Sequence, residues 1–105
     1  MEIKDFQNLC AEIVEKIDRK YNIDRNPHFS FTQLIEEVGE LARAIDMPKL
    51  RNKELDQNNL NEEFAHVLMQ LAILAKIHNV DFESTVKKKI LELKERHNID
   101  LGDIK

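Results

Sequence analysis

Two stretches of the chain place carboxylates where they can act together: Leu-Ile-Glu-Glu-Val-Gly-Glu-Leu at 34–41 and Leu-Asn-Glu-Glu-Phe-Ala-His-Val at 60–67. In the first, Glu37 and Glu40 are three residues apart, beside an apolar stripe of Leu34, Val38, Leu41 and Ile45. On a helix that spacing makes their carboxylates neighbours, while Glu36 falls on the outer face. In the second, Glu63 and His66 take the matching places beside Leu60, Phe64, Val67 and Leu71. Two antiparallel helices with these stripes facing would gather three carboxylates and one imidazole.

Clustered carboxylates repel one another, and burying them uncompensated is costly. A divalent cation removes that penalty, and oxygen donors suit Mg²⁺. An imidazole at position 66 suits Mn²⁺ or another transition ion better. The plainer alternative is a solvated face on which Glu36 or Glu40 pairs with Arg43. Three readings of His66 stay open: a working ligand, a substitution that weakens metal binding and silences the site, or a histidine hydrogen-bonded to Glu63 without a metal role.

Other groups could serve an anionic ligand. Lys49, Arg51 and Lys53 lie in a polar stretch that could reach a polyphosphate, although a solvated loop would look the same. Lys87, Lys88, Lys89, Lys94 and Arg96 form a basic segment, most of it expected in solvent. His28, Phe29 and Phe31 could touch a nucleobase, with Phe31 also a core candidate. Gly39 inside a helix costs about 1 kcal/mol relative to Ala, which close helix approach or substrate access would explain. Cys10 lies on an apolar face and reads as a buried thiol.

The elements that must carry these groups are helical. Ile3, Phe6, Leu9, Cys10, Ile13, Val14, Ile17 and Tyr21 recur at helical spacing and predict a first helix over 2–21. Asn22 to Phe29 reads as a loop. Ser30, with Gln33 three residues on, predicts a capping box opening a second helix that Pro48 stops after Met47. Lys49 to Asn59 is a connecting loop. A third helix spans about 59–78 and a fourth, capped by Asp81, about 82–97. Residues 98–105 form an irregular tail whose aliphatics, Ile99, Leu101 and Ile104, could dock on a neighbour.

From Phe64 to Ala75 every residue except His66 and Gln70 is apolar. That run is too short to cross a bilayer, which needs about 20 residues. It predicts a helix buried on nearly all sides, more than four helices of one chain can cover. A second subunit packing on it follows, hence a dimer or a dimer of dimers.

Composition agrees. The 105 residues suit one domain, 1–105, and only two glycines and two prolines disfavour a turn-rich β fold. Sixteen basic against 20 acidic residues give a net charge of −4, which disfavours a partner that is a nucleic-acid polymer. One cysteine makes no internal disulfide. The opening MEIKDFQNLC carries charges where a signal peptide would be apolar, so a cytoplasmic protein with no membrane partner is expected.

Glu36-Glu37-Val-Gly-Glu40 resembles the Glu-Glu-x-x-Glu motif of the MazG-like all-α nucleoside triphosphate pyrophosphohydrolases. Glu62-Glu63-Phe-Ala-His66-Val is similar to that family's Glu-Glu-x-x-Asp-Val motif, with His66 where the family has Asp. The resemblance covers about residues 30–97. It implies an all-α four-helix-type bundle and Mg²⁺-dependent cleavage of a (deoxy)nucleoside triphosphate to monophosphate and pyrophosphate. It also implies metal ligands at Glu37, Glu40, Glu63 and His66, and Glu36 positioning or deprotonating the attacking water. Lys89 and Arg96 match the family's phosphate-facing Lys and Arg on the last helix, with Leu93 where an Asn is frequent. The alternatives are a catalytically silent relative that binds nucleotide or a protein partner, and a purely structural helical module.

Overall fold

The computed structural model describes residues 1–102, and Ile104 of the tail lies outside the described residues. Four helices form: α1 Ile3–Tyr21, α2 Pro27–Leu50, α3 Gln57–Ile77 and α4 Phe82–Arg96, with no strand among the described residues. Each helix is followed by an asparagine in the left-handed region: Asn22, Asn52, Asn79 and Asn98, at φ 54°, 52°, 59° and 50°. The next residue's N–H then donates five residues back, as Ile23 to Asp18 (2.9 Å), Lys53 to Pro48 (2.7 Å), Val80 to Ala75 (2.8 Å) and Ile99 to Lys94 (2.9 Å). This closes each helix end with a Schellman-type bond. Asparagine tolerates that conformation better than other non-glycine residues, so four helices stop in a chain with two glycines.

Two expected boundaries are corrected. Helix α2 begins at Pro27, not Ser30: the Asn26 side chain accepts the Phe29 N–H (2.8 Å), and Pro27 takes a first-turn position that needs no donor. Ser30 is instead fully buried one turn inside the helix. Gln33 is not a capping partner but accepts from Arg25 Nη1 (2.6 Å). The same guanidinium forks onto Asp18 at 2.8 and 3.2 Å, tying the end of α1 to the start of α2. Pro48 does not stop α2, which runs two residues further. Near a C-terminus proline removes one helical hydrogen bond while its own φ remains helical.

Packing runs in the order α2, α3, α1, α4, with α2–α3 the broadest contact, then α1–α3, then α1–α4. The core is small: Cys10, Ala72 and Ile73, backed by Phe6, Val14, Met69, Ile77 and Phe82. Burial of Cys10 pushes its thiol above the usual range. Gln7 locks α1 onto the α3–α4 turn. Its Nε2 donates to the Val80 carbonyl at 2.7 Å, and its Oε1 accepts from the Phe82 N–H at 3.1 Å.

The result is an open layer of 42 × 42 × 24 Å with a radius of gyration of 17.0 Å. A compact domain of this length would have about 13 Å. The expectation that α3 is buried nearly all round does not hold within one chain. Only Ala72, Ile73 and Ala75 of α3 are buried, while Phe64, Leu68 and Leu71 are 55%, 51% and 41% exposed. One face of α3 meets α1 and α2, and helix α4 docks on α1 without covering the rest. Among the described residues no helix is long and apolar enough to cross a membrane.

Candidate metal centre

The broad α2–α3 contact places the two motif stripes against each other. Glu37 and Glu40 come from α2, Glu63 and His66 from α3, and one donor atom of each lies within 4.8 Å of the others. His66 Nδ1 stands 3.4 Å from Glu37 Oε2 and 3.8 Å from Glu63 Oε2. The Glu63 and Glu37 side chains are 12% and 22% exposed, whereas His66 is 49% exposed and forms the outer edge.

The electrostatics are those of a site short of positive charge. Glu37 Oε2 and Glu63 Oε2 are buried and accept no hydrogen bond. Burial first, then the charge of Glu40, hold the Glu37 carboxyl above the usual carboxylate range, with His66 opposing and Glu63 adding to the rise. Donors that share an ion at about 2.1 Å stand roughly 3.0–3.4 Å apart, close to the His66–Glu37 separation. Orphaned oxygens and converging donors therefore fit a divalent cation. The hydrogen bond from His66 to Glu63, one of the readings open from sequence, is not made. Among the described residues, neither Glu36 nor Glu40 forms an ion pair with Arg43.

Glu36 is exposed and lies outside the four-residue cluster. Arg51 borders a cavity of about 590 Å³ on the Glu40 and Glu63 flank, together with Arg43 and Lys53. Lys49 is in the last turn of α2 and is not part of that wall. Lys89 pairs with Glu92 at 3.1 Å, drawing the Glu92 carboxyl below its usual range. Arg96 ends α4. That helix packs on α1, and neither Lys89 nor Arg96 borders a cavity touching the cluster. Phe31 is exposed rather than core, and Phe29 lies 5.1 Å from the Arg25 guanidinium. A Cβ at Gly39 would meet nothing within 4 Å, so close helix approach within the chain does not explain that glycine.

Sequence reasoning missed two polar groups beside the site, Arg43 as a cavity wall and Gln70. The signal for Gln70 was present: it and His66 are the two polar residues in the apolar run and stand four apart, on one helix face.

No curated protein and no solved structure matches the chain. The model of the MazG nucleotide pyrophosphohydrolase domain matches residues 25–99, a span that holds all four converging donors, and the chain belongs to that family.

Proposed function

We propose that the protein hydrolyses a nucleoside or deoxynucleoside triphosphate to the monophosphate and pyrophosphate, as a cytoplasmic enzyme of nucleotide-pool control. The observation that carries this is the convergence of Glu37, Glu40, Glu63 and His66 within 4.8 Å around two buried, unpaired carboxylate oxygens. Those four residues would hold a divalent cation. When bound, it neutralises phosphate charge and lowers the pKa of water. Glu36, exposed beside Glu37 on α2 and outside the four-residue cluster, would position or deprotonate the attacking water, the role the family resemblance gives it. Arg51, with Arg43 and Lys53, offers cationic groups to departing phosphates on the Glu40 and Glu63 flank, on a wall that also carries Glu54 and Asp56.

The assembly is part of this reading. Exposed Phe64, Leu68 and Leu71 on α3, with Phe31 and Ile35 on α2, leave apolar surface that a homo-oligomer, dimer or tetramer, would cover. In one chain Lys49, Lys89 and Arg96 border neither cavity at the cluster, so Lys89 and Arg96 would serve the phosphates from another copy. The ion is Mg²⁺ in the family-type reading, and the His66 nitrogen tilts the preference toward Mn²⁺.

A second reading is favoured by one observation, the imidazole in place of the family's carboxylate at position 66: a silent relative that binds nucleotide or a protein partner. Pyrophosphate release from a nucleotide panel, with Mg²⁺, Mn²⁺ or no metal, separates the two. Release that needs a divalent ion supports the hydrolase. Nucleotide binding without release under every ion supports the silent relative.

A further inference from the structure

The four converging side chains differ in what they can offer an ion. Glu37, Glu40 and Glu63 present carboxylates, which bind through one oxygen or two. His66 presents a single ring nitrogen: Nδ1 is turned to Glu37 Oε2 at 3.4 Å and to Glu63 Oε2 at 3.8 Å. One donor atom from each residue lies within 4.8 Å of the others. The Glu37 and Glu63 oxygens at this point are buried and accept no hydrogen bond. Among the described residues no lysine or arginine forms an ion pair with any of the three carboxylates. The charge that completes the centre must therefore come from outside the chain, and the donors select which ion supplies it.

Spacing and number both bear on that selection. Neighbouring donors stand about 3.0 Å apart around six-coordinate Mg²⁺ and about 3.3–3.4 Å apart around four-coordinate Zn²⁺. The two His66 separations lie at and above the wider value. Four protein donors leave two positions of a six-coordinate ion for water and phosphate, but they fill a four-coordinate ion. Zinc sites with four protein ligands are closed in this way, whereas catalytic ones keep a position open. The nitrogen at position 66 favours the ion that fills. Imidazole suits Zn²⁺, affinity for such sites rises from Mn²⁺ toward Zn²⁺, and Mg²⁺ keeps to oxygen.

We infer that Zn²⁺ is a closing ion for this centre: Glu37, Glu40, Glu63 and His66 take all four of its positions and shut out the water and phosphate that hydrolysis needs. The consequence for activity rests on the pyrophosphohydrolase reading above, and it is regulatory: Zn²⁺ displaces Mg²⁺ or Mn²⁺ and stops pyrophosphate release. His66 sets this response, because an aspartate in its place gives an all-oxygen donor set with no nitrogen to favour Zn²⁺ over Mg²⁺.

The test uses metal-free wild type and His66→Asp, with thermal melts to show that both are folded. Co²⁺ is the spectroscopic probe, since four-coordinate Co²⁺ absorbs visible light much more strongly than six-coordinate Co²⁺. Calorimetry measures Zn²⁺ and Mg²⁺ binding, and pyrophosphate release is followed with Mn²⁺ before and after the protein is loaded with equimolar Zn²⁺. Wild type should give the strong four-coordinate spectrum, lose it on adding Zn²⁺, and bind Zn²⁺ about a hundredfold or more tighter than Mg²⁺. Loading with Zn²⁺ should stop its release. In His66→Asp the Co²⁺ spectrum should weaken to the six-coordinate form, and the preference for Zn²⁺ over Mg²⁺ should fall about tenfold or more. A weak six-coordinate spectrum in wild type, release that Zn²⁺ supports, or an unchanged ion preference in His66→Asp would overturn the assignment. If no ion supports release from any nucleotide, the hydrolase reading fails by itself. The spectrum and the Zn²⁺ titration then decide the closed centre separately: a four-coordinate signal that Zn²⁺ removes and His66→Asp weakens upholds it, and the lack of one ends it.

Discussion

His66 Nδ1 faces Glu37 Oε2 across the α2–α3 contact at 3.4 Å, yet Glu37 Oε2 accepts no hydrogen bond. The two atoms converge without satisfying each other, an arrangement that a shared cation would complete. This pair joins the two motifs, because it links the α2 and α3 halves of the site through a residue at which the chain departs from the family pattern.

Replacing that imidazole tests its role. His66→Asp supplies a fourth oxygen donor of the kind Mg²⁺ prefers. If the site is otherwise competent, Mg²⁺-supported pyrophosphate release should rise. Mg²⁺ should also raise the melting temperature more in the variant than in the parent, since a ligand bound only by the folded state stabilises it. Without metal the variant should melt lower than the parent, from added carboxylate repulsion. A fall in Mn²⁺-supported activity would instead identify His66 as a working ligand, and no response of either protein to any divalent ion would remove the metal centre.

Glu37 carries a pH signature. Its folded-state carboxyl titrates above the unfolded value, through burial and the charge of Glu40. Between the unfolded and the raised folded value, the folded protein holds a proton that the unfolded chain has released. The stability this group contributes is fully present below the unfolded carboxylate value and is lost as pH rises through the raised folded value. Above the raised folded value, metal-free protein carries the whole penalty. Glu37→Gln should raise the metal-free melting temperature at pH 7, flatten its dependence on pH in the acidic range and abolish the gain on adding a divalent ion. Thermal melts from pH 4 to 8, with chelator and with Mn²⁺, measure all three.

Gln7 predicts where the fold is brittle. Gln7→Leu leaves the Val80 carbonyl and the Phe82 N–H without their side-chain partners. At about 1–3 kcal/mol for each unmet buried group, partly relieved by water at this turn, the loss should be about 2 kcal/mol. That corresponds to a fall of roughly 8–16 °C in melting temperature for a domain of this size. Gln7→Glu keeps the acceptor for Phe82 but sets a buried carboxylate oxygen against the Val80 carbonyl, so at neutral pH it should fall at least as far as Gln7→Leu.

Assembly is the fourth prediction. Light scattering at micromolar concentration should give a dimer or tetramer mass. Leu68→Glu, on the open face of α3, should shift the protein toward monomer and lower its melting temperature. A monomeric wild type would mean that the exposed apolar face of α3 serves some other partner.

Much of the fold and the centre was legible because it is local. The 3.6-residue spacing of apolar side chains marks all four helices, and the Asp81 cap of α4 is found as expected, its side chain accepting the Glu83 N–H at 3.1 Å. The paired octads at 34–41 and 60–67 put Glu37, Glu40, Glu63 and His66 on facing stripes, since helix geometry alone decides which residues share a face. The asparagine after each helix is an equally local signal that the sequence reading did not use.

Tertiary structure decided what depends on groups distant along the chain. The sequence pointed to Ser30 as the cap, but α2 starts from Asn26, and the earlier start goes with the Arg25 clamp onto Asp18 and Gln33. The order α2, α3, α1, α4 leaves one side of α3 open, because periodicity says which face is apolar but not what covers it. It also sets Lys89 and Arg96 on a helix packed against α1, away from the cavities at the cluster, and puts Gln70 on the wall of one of them with its oxygen unpaired. Whether a polar side chain is met or orphaned depends on what long-range packing brings to it, and spacing along the sequence carries no record of that.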